Sequence, residues 1–243
     1  MATLKPPAHF LIGSFITVLL IVSIKMVLPI LNKYQQHYYD LSHLNPEVNS
    51  YNQVRSILND FKRVTFKELP EDFKKRTGLN RSAERKKFER HRFYAVTKQD
   101  LFRKIAGNNR LINIVSADNH FRKEGLNSTR ELYFDIDPVI LFKLIDILNE
   151  IKRQKLDPDA LLLISGHRTP IHNNRVGGKR ESRHILGDAL DLKIGDLNRD
   201  GFANQKDKKL LVPVLERIIG KSGGLGVYRM SVHIDNRGKR ARW

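Results

Sequence analysis

One long apolar run sets the first limit on what this chain can become. Residues 10–31 read FLIGSFITVLLIVSIKMVLPIL, broken only by Lys25 and Pro29. As a helix rising about 1.5 Å per residue it would reach roughly 33 Å, close to the hydrocarbon thickness of a bilayer. Its apolar residues cover every face instead of forming a stripe, which argues against a helix buried in a soluble core. Phe10 to Ile24 also has the length of a signal-peptide core, but no A-x-A-like cleavage site follows it. The segment is read as an uncleaved, single-pass anchor in the lipid bilayer, with Lys25 snorkelling toward one interface. Lys5 and Lys33 flank it on opposite sides, so charge leaves its orientation open.

The rest of the chain has the material for a packed domain. Of 243 residues 40% are hydrophobic, and 44 Lys+Arg stand against 26 Asp+Glu for a formal net charge of +18. That composition excludes a disordered tail. The absence of Cys excludes disulfide frameworks, Cys-ligated zinc, iron–sulfur clusters and thiol nucleophiles, so any metal site must use His and carboxylates. The positive charge suits anionic polymers or headgroups. Nucleic acid is not an expected partner, because basicity alone would support it.

Four segments follow from the texture of the sequence: a tail at 1–9, the anchor at 10–31, a basic and mainly helical region at 32–127, and an α+β domain at 128–243. Within the basic region, Val54, Ile57, Leu58 and Phe61 have the spacing of an amphipathic helix over 47–61, and RSAERKKFERHR at 81–92 reads as a solvated helix. In the last segment, DIDPVILFKLIDILNEIKRQK at 135–155 predicts a core helix with Pro near its start. LLLIS at 161–165, DALDLKI at 188–194 and GVYRMSVHID at 226–235 predict strands, and KKLLVPVLERII at 208–219 a second helix. The expected fold class is α+β, a small, mostly antiparallel sheet with flanking helices, preceded by one transmembrane helix and the basic region.

Polar residues interrupt two of these strands. Side chains alternate along a strand, so Leu190, Leu192 and Ile194 share one face while Asp191 points to the other. In SVHID the same rule sets Val232 and Ile234 against His233 and Asp235. A carboxylate and an imidazole from neighbouring strands, joined by His184 from the preceding loop, would supply three N/O donors and leave a position open, the pattern of a catalytic zinc site.

The motifs around these residues are S-G-x-R-T-P at 165–170, His172-Asn173, S-x-H-x-x-G-x-A-x-D at 182–191, G-L-G at 224–226, and H-x-D at 233–235 with a terminal Trp243. Together they resemble the D-Ala-D-Ala carboxypeptidase family of zinc peptidases, especially its membrane-associated murein peptidases, over residues about 130–243. The resemblance implies zinc ligands at His184, Asp191 and His233, and hydrolysis of an amide bond in peptidoglycan stem peptides or cross-links, by a carboxypeptidase or an endopeptidase. It implies that Arg168 lies near the reacting carbonyl, where it would hold a substrate carboxylate or steady charge, and that Ser182 contacts substrate. It would also place the catalytic domain outside the cytoplasmic membrane. Many members carry an acid three residues before the last ligand His; here that residue is Met230. Asp235 stands in as general base or as a partner orienting His233, Glu181 is a further candidate base, and His167 and His172 are structural or substrate-lining. The missing acid also admits an inactive module that keeps zinc and binds peptidoglycan or a partner.

DLNRDGFANQKD at 196–207 suggests a second ion site. Asp196, Asn198 and Asp200 fall at positions 1, 3 and 5 of an EF-hand-type loop, Gly201 at 6, the Phe202 carbonyl at 7 and Asp207 at 12. Calcium is the expected cation, in a structural role.

Overall fold

The computed structural model describes residues 46–81, 85–120 and 130–243. The tail and the anchor expected at 10–31 lie outside the described residues. Among the described residues no helix is long and apolar enough to cross a membrane.

The first elements are α1 (Tyr51–Asn59), β1 (Lys62–Thr65), α2 (Glu71–Thr77), α3 (Arg85–Phe88), β2 (Arg92–Val96), the hairpin β3 (Lys104–Ala106) and β4 (Asn109–Arg110), and α4 (Ala117–His120). Helix α1 starts at Ser50, whose side chain forms a reciprocal capping box with Gln53, and it buries Val54, Ile57 and Leu58 as their spacing requires. The basic run at 81–92 does not form the expected helix. Among the described residues of the run, Arg81 ends a 3-10 turn, Arg85–Phe88 is α-helical, and β2 begins at Arg92. Phe88 is buried while Arg85, Lys86, Glu89 and Arg90 are exposed, so among the described side chains of the run Phe88 is the anchor, too little to extend a helix along. Among the described residues of this region, short helices alternate with strands.

The second half continues with β5 (Leu132–Phe134), α5 (Pro138–Arg153), β6 (Leu161–Ser165), α6 (Pro170–Arg175), β7 (Ala189–Ile194), α7 (Gln205–Ile219), β8 (Gly224–Val227), β9 (Ser231–Asp235) and β10 (Ala241–Arg242). Asp137 caps α5, with Pro138 in its first turn. The run expected as one strand at 226–235 is a hairpin: the Tyr228 amide donates to the Ser231 carbonyl, and Arg229 and Met230 form the turn between β8 and β9.

Strands β10-β8-β9-β7-β6 form one sheet, antiparallel except where β10 runs parallel to β8. Leu161, Leu163, Leu190, Leu192, Val232 and Ile234 face one side and share a core with Leu144, Leu148, Leu211 and Leu215 of α5 and α7. Each fully buried side chain of this kind stabilises by roughly 1.5–3 kcal/mol, which fixes the register, since a one-residue slip would turn the whole set to solvent. The opposite face bears Leu162, Ile164, Asp191, Lys193 and His233, of which Ile164, Asp191 and His233 line a cleft.

The boundary expected near 127 is not a gap in packing. Strand β2 pairs with β5 across it, and β1-β2-β5 form a second antiparallel sheet. Val54, Leu101 and Ile114 lie in the same core as α5 and β7. Residues 45–243 are one compact unit.

Candidate metal centre

Register, not sequence proximity, assembles the site. Asp191 of β7 stands directly opposite His233 of β9, and the flanking pairs Leu190–Ile234 and Leu192–Val232 are held in the core. At the end of β6 the pairing shifts between Leu163 and Ser165, which brings Ser165 opposite Asp191 and turns the following loop toward the site. His184 arrives on a short 3-10 turn, Arg183–Leu186, that ends at Gly187 in the left-handed region with φ 70°.

Three donor atoms converge. His184 Nε2 lies 3.1 Å from Asp191 Oδ1 and 3.2 Å from His233 Nδ1, and His233 Nδ1 lies 2.8 Å from Asp191 Oδ1. The other nitrogen of each ring is engaged behind the site: His184 Nδ1 donates to the Gly166 carbonyl at 2.7 Å, and His233 Nε2 to Asp235 Oδ2 at 3.2 Å. Those bonds select the tautomers, so both rings present a lone pair to the same point beside a carboxylate. Such a trio suits a divalent cation with N/O preference, and it is the one His/Asp/Glu trio of this kind among the described residues.

Electrostatics agree with that chemistry. Burial opposes charge on Asp191, yet the two neighbouring imidazoles and the nearby Arg168 hold its carboxyl well below the usual carboxylate range. Burial lowers the His184 imidazole. Burial acts likewise on His233, but the carboxylates of Asp191 and Asp235 outweigh it and raise that group. The pocket therefore favours positive charge between the carboxylates, which a metal ion would supply.

Arg168 Nη2 binds Asp191 Oδ2 and its Nε donates to Ser165 Oγ at 2.8 Å, so the guanidinium sits in the wall of the site. Ser182 and Glu181 line the same cleft, which has a volume of about 730 Å³, and the Ser182 hydroxyl makes no capping bond. Tyr228 and Trp243 form an aromatic wall, with the indole Nε1 donating to the Tyr228 hydroxyl at 2.9 Å. Two glycines of G-L-G make this possible. A Cβ on Gly226 would come within 2.5 Å of Trp243 Nε1, and a Cβ on Gly224 would meet the Asp235 carboxylate.

Asp235 lies behind His233 and is not among the residues that line the cleft. Alternation puts it on the same side as His233, but it is 0% exposed, behind the ring, where it accepts from the Gly224 amide at 3.0 Å and from Arg237 Nε at 2.8 Å. Burial opposes its charge, yet His233 and Arg237 hold the carboxyl well below its ordinary range, which makes it a weak proton acceptor. It orients His233. The sequence motifs did not single out Arg237 or the Gly166 carbonyl; a backbone acceptor leaves no trace in residue identity.

In the loop expected to bind calcium, the carboxylates accept from backbone amides. Asp207 is fully buried, and its two carboxylate oxygens accept from the amides of Leu197, Asn198 and Asn204, the last completing a capping box for α7. Asp196 accepts from the amides of Asp200 and Gly201, and Asp200 bonds Lys206 Nζ at 3.1 Å. Asp207 caps α7, and among the described residues the His/Asp/Glu cluster able to hold a metal ion is His184, Asp191 and His233.

Residues 118–235 match the family model described as Peptidase M15. This is a family of zinc peptidases that includes D-Ala-D-Ala carboxypeptidase-type enzymes, and it bears out the resemblance carried by the motifs. The M15 match encloses His184, Asp191 and His233 together with Arg168, Glu181 and Asp235, and leaves the described residues 46–117 outside it. No curated protein and no solved structure matches the chain.

Proposed function

We propose that the chain is a zinc-dependent peptidase that hydrolyses an amide bond in peptidoglycan stem peptides or cross-links, held at the cytoplasmic membrane by residues 10–31 with its catalytic part outside. The observation that carries this reading is the convergence of two tautomer-fixed imidazoles and one carboxylate at the wall of an open cleft, inside a segment matching zinc peptidases. Zinc held by His184, Asp191 and His233 supplies Lewis-acid polarisation of a carbonyl and acidification of water. Asp191 divides its oxygens between the donor trio and Arg168, so the guanidinium is fixed beside the reacting centre, where it offsets negative charge developing on the attacked carbonyl. Glu181, the other carboxylate lining the cleft, is the proposed general base in place of Asp235.

Met230 favours a second reading, a zinc-retaining module without turnover. Full-length protein in detergent, loaded with zinc and incubated with cross-linked muropeptides, separates the two by mass spectrometry of the products. New peptide ends that vanish in His184→Ala and fall by about 10²–10⁴ in Glu181→Gln support the peptidase. Bound zinc without new ends leaves the binding module.

A further inference from the structure

A second cleft, of about 240 Å³, lies on the other side of the loop that carries Arg168. The segment Ile112–Ala117, outside the M15 match, forms one wall, and Ile164 to His167 with His172 form the other. The two clefts meet at Ile164, which lines both and is 51% exposed. Ser165 belongs to the second cleft and Arg168 to the first, so the hydrogen bond between them is the partition.

This cleft contains polar groups that the fold leaves unused. His167 is 1% exposed and neither ring nitrogen has a hydrogen-bond partner; His172 Nδ1 is likewise buried and unpartnered. An unsatisfied buried donor or acceptor costs about 1–3 kcal/mol, so such groups invite a ligand. Burial pushes His167 down to about 3 and lowers His172 as well, so both imidazoles are neutral near pH 7. A neutral imidazole offers one donor and one acceptor, the complement of a peptide amide. Ile112, Val115 and Ile164 add apolar surface.

We propose that this second cleft binds an extended, uncharged stretch of peptide on one side of the scissile bond, which makes the chain an endopeptidase requiring substrate on both sides of the metal centre. The inference rests on the peptidase reading above.

The test uses zinc-loaded full-length protein with a cross-linked muropeptide dimer and a single stem peptide. Ala117→Phe fills the cleft from its half-buried rim, and His172→Ala removes one imidazole. The ratio of kcat/KM for dimer over monomer should fall at least tenfold in Ala117→Phe and about fivefold in His172→Ala, through KM; misfolding or zinc loss would depress both substrates together. An unchanged ratio in both variants overturns the inference. If wild type cleaves neither substrate, the peptidase reading fails and the dimer's Kd decides the cleft instead. Weakening of at least tenfold in Ala117→Phe sustains it, whereas equal affinity, or displacement of the dimer by peptide-free glycan, overturns it.

Discussion

Replacing Asp235 by Asn separates an orienting carboxylate from a general base. The side chain keeps its volume in a fully buried position, but loses the charge that accepts from His233 Nε2 at 3.2 Å, Arg237 Nε at 2.8 Å and the Gly224 amide at 3.0 Å. A carboxamide presents one acceptor oxygen, and its NH2 can face only a donor at His233 or Arg237. Each charge-assisted hydrogen bond is worth about 1.5–3 kcal/mol, so a stability loss of about 2–3 kcal/mol is expected even in metal-free protein. The His233 ring then loses its preference for a proton on Nε2, and partners of this kind typically change metal affinity by about 10–100-fold. At about 1.36 kcal/mol per decade, the zinc free energy should drop by about 1.4–2.7 kcal/mol. The assay is a competition titration against a chromogenic chelator, paired with urea unfolding in EDTA. If Asp235 were the base, the signature would be reversed: zinc affinity within twofold of wild type and turnover at saturating zinc reduced by about 10²–10⁴. That outcome would refute the placement argued here.

Gly226→Ala should drive Trp243 off the cleft wall, because the new methyl would sit 2.5 Å from the indole Nε1; Trp243 is the single tryptophan, so a red-shifted emission reports it directly. Asp207→Ala strips the acceptor from three backbone amides and should destabilise by about 3 kcal/mol in urea unfolding, while millimolar calcium leaves the wild-type Tm unmoved. A calcium-dependent rise in Tm would restore the ion site. Acid should weaken the fold through His167: its folded pKa of about 3 lies below the ordinary 6.5, so the unfolded chain binds the extra proton between those values. Stability present above pH 6.5 is then lost as pH falls toward 3, by up to about 1.4 kcal/mol per pH unit for this group. Urea midpoints of EDTA-treated wild type and His167→Leu at pH 6.5 and 4.5 should show a shallower pH slope in the variant; parallel slopes would contradict it.

Periodicity alone determined much of the second half. The spacing of Ile140, Leu141, Leu144, Ile145, Ile147 and Leu148 specifies the core face of α5, and the alternation in DALDLKI and SVHID sets Asp191 and His233 apart from the apolar face, because both are local consequences of chain geometry. The ordered motifs likewise carried the zinc-peptidase resemblance. Depth was beyond their reach. The same alternation puts Asp235 beside His233, and only the packing of Gly224 and Arg237 around it makes it a buried anchor. Asp207 has the spacing of an ion ligand, but its oxygens go to backbone amides whose positions depend on how the loop closes. The basic run at 81–92 has helix-forming residues, yet among its described side chains Phe88 alone is buried, so little docks a longer helix and strand pairing takes over at Arg92. The second cleft exists only because residues 112–117 pack against a loop some fifty positions later, with Ser116 Oγ accepting from the Thr169 amide at 3.1 Å. Local pattern determined which residues can do chemistry; long-range packing decided which of them reach the same space, because desolvation and hydrogen-bond saturation depend on neighbours that the sequence keeps far apart.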